Sequence, residues 1–384
     1  MHEDYLAAIA EFDKATDLDP SFAAAFAAKA KAQLSIFWYE AEGVEWRDAA
    51  RASIATATAL APDAPETLTA LGYYLYWGFF DYARADAALD RALERAPNSV
   101  GAWLAKGFVA RRDGRLADAV AALDTARRLD PLNYEPHVEI GDTLAAQGRF
   151  AEARAALDRA REISPTSIQG PFYEAWYWTQ RGDPDRAWAA AKTSRLYFDY
   201  RFLNAVNTRD LKNVEFALET WPAAERRPSS FPEAYETARV EALLLAGRKT
   251  EAAAVLGAIK QRQRKRGAEN RDVHNAQSAF FDVDVAGLAG DLAGVRAADR
   301  DYRENALKDH WYDRDRRLSL AKAYVRAGDP DAALEHLERI AADFGPASFL
   351  HFSIPPTFDP IRNHKRFLAL KANYEAWAAE HGDE

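Results

Sequence analysis

The sequence predicts an all-α chain built as an α-solenoid of stacked helix-turn-helix hairpins, and three observations predict it. Pro97, Pro131 and Pro165 stand at equal intervals. Ahead of each proline the same residues return: Ala85, Ala119 and Ala153 twelve positions before, Leu89, Leu123 and Leu157 eight before, Ala92, Ala126 and Ala160 five before. Self-similarity at such a period, about 34 residues, marks units that cannot bury an apolar face alone and do so by stacking on their neighbours. The composition agrees. Only 19 glycines and 17 prolines punctuate 384 residues, and the stretches between them are rich in Ala, Leu, Arg and Glu, the strongest helix formers. The length exceeds what one compact core usually reaches, which suits an open-ended array.

The elements follow in order. Tyr5, Ala8, Phe12, Ala15 and Pro20 match the second helix of a unit, so the array begins in mid-unit. The expectation is a chain whose upstream part has been removed, with a capping helix as the alternative. The interval from Pro20 to Pro62 is longer than the period, and the excess falls near 35–46 as an aromatic insertion carrying Phe37, Trp38, Tyr39 and Trp46. In Val100–Pro131, the residues Trp103, Gly107 and Ala110 stand at helical spacing, Gly114 breaks the run, and Leu116, Ala119, Leu123 and Ala126 resume it. Small residues fall where two helices approach closely and large ones fill the gaps. Gly114 takes the left-handed end of the first helix, and Pro131 stops the second. Tyr134–Pro165 repeats this with Gly141, Leu144, Gly148, Phe150, Ala153, Leu157 and Ala160, and Ile168–Asp199 with Ala175, Trp178, Gly182 and Ala187.

Beyond this N-terminal array (1–199), residues 200–231 keep the length of a hairpin and lose its pattern, as a degenerate hairpin or joint would. A C-terminal degenerate array (232–384) carries weaker copies from Pro232 (Leu243, Gly247, Ala252, Leu256), from Ala276 (Ala286, Gly290, Leu292) and from Arg314 (Tyr324, Gly328, Ala333, Leu337). After Phe358–Asp359–Pro360, the stretch Ile361–Trp377 reads as a closing helix with Phe367, Leu370, Tyr374 and Trp377 on one face.

The spacing of Trp, Gly, Gly, Ala, Leu, Ala and Pro resembles the tetratricopeptide repeat (TPR) family, nearly completely in Val100–Pro131 and Tyr134–Pro165; in the next copy Pro171 replaces the usual aromatic. The resemblance implies a right-handed superhelix that binds proteins, with the first helix of each unit lining a concave groove. The long first hairpin, Leu71–Gly72–Tyr73–Tyr74 with Trp77 and Asp81–Tyr82, and Phe358–Asp359–Pro360–Ile361–Arg362 ahead of Arg366–Phe367 look like the repeat arrays of certain bacterial signalling proteins. There the array follows a winged-helix domain, a class III nucleotide cyclase or a protein kinase. This second likeness implies the regulatory or sensory arm of a signalling protein, in the cytoplasm, or in the periplasm if an anchor precedes Met1.

The groove positions that the resemblance implies supply Tyr73, Tyr76 and Trp77, then Leu104, Phe108, Arg111 and Arg112, then Glu135, Val138 and Asp142, then Phe172, Trp176, Thr179 and Gln180. Aromatics with arginine are what protein-interface hot spots use. The expected partner-binding set is Tyr73, Tyr76, Trp77, Phe108, Arg111, Arg112, Phe172, Trp176 and Gln180, taking a protein, peptide or helix; taken singly, an aromatic at helical spacing is more often core. An acidic chaperone tail, the best-known ligand of such repeats, is disfavoured, because Leu104, Phe108, Phe172 and Trp176 stand where charge-assisted donors are needed.

Other classes find little support. The net charge of −9 argues against a nucleic-acid footprint, which needs a basic face, though it leaves room for a local patch, and the run Lys260–Arg266 reads as a solvated helix end. With no cysteine there is no thiolate metal site, and the eight histidines show no ligand spacing. No nucleophile elbow or phosphate loop occurs; the expectation is a non-enzyme without cofactor or metal. Asp309–His310–Trp311–Tyr312–Asp313–Arg314 is the densest polar-aromatic cluster and reads as a hairpin cap. No run of about 18 apolar residues could span a bilayer. Two alternatives remain: a homo-oligomeric scaffold joined through Phe37–Tyr39, and a small-molecule or glycan-binding helical protein or enzyme.

Overall fold

The computed structural model describes residues 2–39, 44–194, 198–220, 232–266, 282–305 and 309–381, and among them every regular element is helical. Residues 40–43 of the insertion, 221–231 of the degenerate segment, His274 and the Ala276 start of a weak copy lie outside the described residues. No helix among the described residues is long and apolar enough to cross a membrane.

The chain folds as two compact units: Met1–Pro136 with Leu307–Trp311, and His137–Ala306 with Tyr312–Glu384. This division by compactness is separate from the division by repeat regularity at 200–231.

The first unit contains α1 (His2–Leu18), α2 (Ala23–Tyr39), α3 (Val44–Leu60), α4 (Pro65–Phe79), α5 (Tyr82–Arg95), α6 (Val100–Arg112) and α7 (Leu116–Leu129). Pairs α2/α3, α4/α5 and α6/α7 pack as hairpins. The aromatic insertion lengthens the first of these: α2 and α3 have 17 residues each, where α6 and α7 have 13 and 14. A recurrent notch joins the helices of a pair. A Cβ on Gly72 would lie 2.8 Å from Leu89 Cγ, and one on Gly107 2.6 Å from Leu123 Cγ, so the glycine is what lets the partner leucine seat against the helix. Ser99 and Asp81 cap α6 and α5 by accepting from the backbone N–H groups of Ala102 and Arg84, which satisfies donors that the helix itself leaves unpaired.

The second unit continues the pattern through α8 (Tyr134–Ala146), α9 (Phe150–Ile163), α10 (Gly170–Gln180) and α11 (Pro184–Ala191), with Leu157 seated at Gly141. The degenerate segment holds two shorter helices, α12 (Phe198–Asn207) and α13 (Leu211–Thr220). The weak copy from Pro232 is the hairpin of α14 (Pro232–Leu245) and α15 (Lys249–Arg266), turned at Gly247; in its basic run Arg262 pairs with Glu236 on α14. Helical residues 282–288 (α16), α17 (Leu292–Asn305), α18 (His310–Ala327) and α19 (Pro330–Phe344) follow, with turns at Gly290 and Gly328.

The closing segment is α20 (Ser348–Ser353), a 3₁₀ turn over Pro356–Ile361, and α21 (Lys365–His381). The closing helix thus starts at Lys365 and not at Ile361 as its sequence pattern suggests, because Pro360 lies in the 3₁₀ turn, which Asp359 pins by pairing with Arg209 and Arg362. Phe352, Phe358 and Phe367 join Leu320, Leu337 and Ile340 in the core of this unit.

Candidate functional site

In the first unit, the inner face is built from α2, α4 and α6. Tyr73, Tyr76 and Trp77 fall on one stripe of α4 by helical spacing, and α2, about one turn longer than α6, lays Trp38 across them. Trp38 stacks on Trp77 at 5.8 Å between ring centroids and tilts onto Tyr76 at 5.5 Å and Phe80 at 5.7 Å. Tyr73 and Trp77 are 4.6 Å apart, and the Lys31 ammonium sits 4.7 Å over the Tyr73 ring.

The C-terminal end of α6 points Arg111 and Arg112 at a remote part of the chain. Arg112 Nη1 donates to Asp309 Oδ2 at 3.0 Å, and Tyr82 OH donates to the same oxygen at 2.9 Å. The Asp309 side chain is 0% exposed. The Arg112 guanidinium lies 5.2 Å over Trp38, and that of Arg111 lies 4.6 Å over Trp311 and 5.8 Å over Phe108. Between the two anchors, His310 lies against the turn glycine: a Cβ on Gly114, whose φ is +83°, would be 3.0 Å from His310 Cγ. Burial, followed by the nearby Asp309 carboxylate, pushes the Tyr82 hydroxyl far above the usual phenol range, so it stays a donor.

In the second unit, neighbouring repeats are joined by hydrogen bonds between equivalent positions. Tyr173 OH donates to Glu139 Oε1 at 3.1 Å and Trp176 Nε1 to Asp142 Oδ1 at 2.6 Å, each pair 34 residues apart. The closing segment covers this face. The His351 ring meets Trp176 edge to face at 5.6 Å. Leu350 lies at Gly182 and Ala347 at Gly148, two more turn glycines with left-handed φ. Arg314, only 2% exposed, sits between Trp176 and Phe344 and donates a long hydrogen bond of 3.4 Å to Gln180 Oε1. Burial, then the charges of Arg314 and Lys322, holds the His351 imidazole well below its ordinary value, so it is neutral. Nearby Glu241 pairs with Arg326 at 2.7 Å. Burial and the Glu241 charge push the Asp284 carboxyl up to about 6.

The nine residues expected to bind a partner are therefore placed as follows. Tyr73, Tyr76, Trp77, Phe108, Arg111 and Arg112 belong to the first unit and are buried; in the second, Gln180 is buried and Phe172 and Trp176 are half-buried. The repeat pattern leads one to expect side chains facing an open groove; seven of the nine are buried within the chain, and Phe172 and Trp176 keep part of their surface. Phe37 is likewise buried within its own hairpin, while Tyr39 keeps 38% of its surface. The repeat pattern alone does not single out Tyr82 or His351 as site residues. Asp309 and Trp311 stood out as a polar-aromatic cluster, and what looked like a hairpin cap is an anchor on α5 and α6.

Residues 74–133 and 105–168 match the tetratricopeptide repeat family, so the stretch 74–168 is made of these repeats. No curated protein matches the chain. Solved structures similar to it include PilW, a type IV pilus biogenesis factor (20% identity, TM-score 0.41, 50% of this chain and 84% of that one). Another is YrrB, described as a TPR protein with an unusual peptide-binding site (23% identity, TM-score 0.31, 44% and 82%). A third is a human IFIT1 dimer with PPP-AAAA (18% identity, TM-score 0.47, 89% and 69%). At such identities and TM-scores the likeness says nothing of function or partners.

Proposed function

We propose that the chain is a non-catalytic interaction scaffold whose inner repeat face recognises a protein or peptide partner, and that it works in the cytoplasm as the regulatory or sensory arm of a bacterial signalling protein. One observation carries the first part: the inner face of the first unit already holds a remote segment by side-chain recognition, a carboxylate on Arg112 and Tyr82 and an indole on Arg111. Aromatic shelves with arginine are the chemistry of interface hot spots. The signalling role is supported by the sequence pattern of the long first hairpin and the Phe358–Arg362 segment.

The test uses partners identified from the native source and then purified. Trp77→Ala would remove a buried indole and risks unfolding at a cost of about 3–5 kcal/mol, so the milder variants Arg111→Gln and Trp176→Phe are preferred. At least one should weaken a purified partner's binding tenfold or more with an unchanged melting temperature. Should every partner bind both variants as it binds the wild type, the inner face is not the recognition surface.

A further inference from the structure

The segment Asp309–Trp311 is bound as a ligand would be. Its first residue puts a fully buried carboxylate oxygen on two converging donors, Arg112 Nη1 and Tyr82 OH. Its third residue, buried like the first, lays its indole on the Arg111 guanidinium. Its second residue passes the bare backbone of Gly114, where any side chain would crowd it. The stretch Leu307–Trp311 belongs to the compact unit formed by Met1–Pro136 although it is remote in sequence, Tyr82 and Asp309 being 227 positions apart. A buried ion pair is a weak way to gain stability, since apolar replacements of similar volume serve as well or better. It is an effective way to choose a ligand, because a neutral or cationic residue at that position would take this carboxylate from the guanidinium and the hydroxyl.

We propose that Trp38, Tyr82, Arg111, Arg112 and Gly114 form a recognition cradle for a partner peptide with an acidic residue followed two positions later by tryptophan, and that Asp309–Trp311 is the chain's built-in occupant. This rests on the reading of the inner repeat face as a partner surface and names the partner's chemistry. His310 and Trp311 open α18, so the segment is held beside its own site and competes intramolecularly with any partner. A partner in trans therefore meets a cradle that is mostly filled, and its apparent affinity falls by the vacant fraction.

The probe is a fluorescent synthetic peptide with the sequence of residues 304–315, read by anisotropy. The Asp309→Ala/Trp311→Ala chain, which lacks both of its own anchors, should bind it at least tenfold more tightly than the wild type, and the milder Asp309→Asn chain should also bind it more tightly than the wild type. Adding Arg112→Gln, or replacing Asp309 of the peptide by asparagine, should abolish binding. Affinity equal to that of the wild type, or no saturable binding, in whichever of the two variants melts cooperatively overturns the cradle. If a purified partner still binds the chain in that case, the cradle falls and the scaffold reading stands; if no partner binds either, both fall.

Discussion

Replacing Asp299 by alanine is expected to cost about 3 kcal/mol of stability, because one carboxylate serves three helices of the second unit. Asp299 on α17 accepts from Tyr324 OH of α18 at 2.8 Å and from Arg303 Nε at 2.9 Å, and lies 3.3 Å from His336 Nε2 of α19. The His336 and Tyr324 rings stack beside it at 5.7 Å. Truncation leaves a buried imidazole and a buried phenol without their acceptor, whereas Asp299→Asn keeps an oxygen there and should recover part of the loss. Burial alone would raise this carboxyl, but the hydrogen bonds from His336, Arg303 and Tyr324 outweigh it and hold it well below the usual range. A folded value below the unfolded one gives stability that is full above the ordinary aspartate value of about 4 and is lost progressively as pH falls below it towards the folded one. Urea unfolding at pH 7 and pH 3 should therefore show the wild type approaching the Asp299→Ala chain in acid. A loss under about 1 kcal/mol at neutral pH, on the scale of an exposed pair, would contradict the assignment.

The second large effect lies at the notch between α6 and α7. Leu123 is wholly buried, and its Cγ lies 2.6 Å from where a Gly107 Cβ would be. Leu123→Ala should cost about 3–5 kcal/mol by lost transfer energy and a residual cavity. Gly107→Ala gains up to about 1 kcal/mol of helix propensity and loses about 1–3 kcal/mol to overpacking against Leu123. The double variant is the informative one. Its alanine methyl enters the space that Leu123 vacates, so the combined loss should fall short of the sum by more than about 0.5 kcal/mol, the margin within which independent sites add. Denaturant titration of the four proteins measures this, and strict additivity would mean that the two side chains do not share one space.

Much of the fold was legible because its causes are local. A glycine in a left-handed turn, as at Gly114, Gly148 and Gly182, and a proline after a helix act on their own neighbours, and a fixed period repeats the same solution. Even the poorly patterned copies at Gly247 and Gly328 turn where their glycines stand. The inner face was legible as a set of residue types and not as an environment. Tyr73, Tyr76 and Trp77 have the spacing of a stripe whether water, another helix or a remote segment covers it, and Trp38 covers it from an insertion whose length the period alone exposes. Asp309 and Trp311 announce polar and aromatic chemistry in their own sequence. Their partners on α5 and α6 lie about two hundred positions away, and nothing local to either end records that pairing. The turn glycines were read for their backbone conformation alone. That the missing side chain also admits His310, Ala347 or Leu350 is a property of packing.

The central claim, that Asp309–Trp311 is seated on the inner face of the first unit, is tested most directly by a double-mutant cycle between Arg112→Met and Asp309→Asn in equilibrium unfolding. A buried, hydrogen-bonded charge pair at 3.0 Å predicts a coupling energy of about 1.5 kcal/mol or more. Additivity of the two substitutions would show that the two side chains do not meet, and the occupied inner face would be wrong.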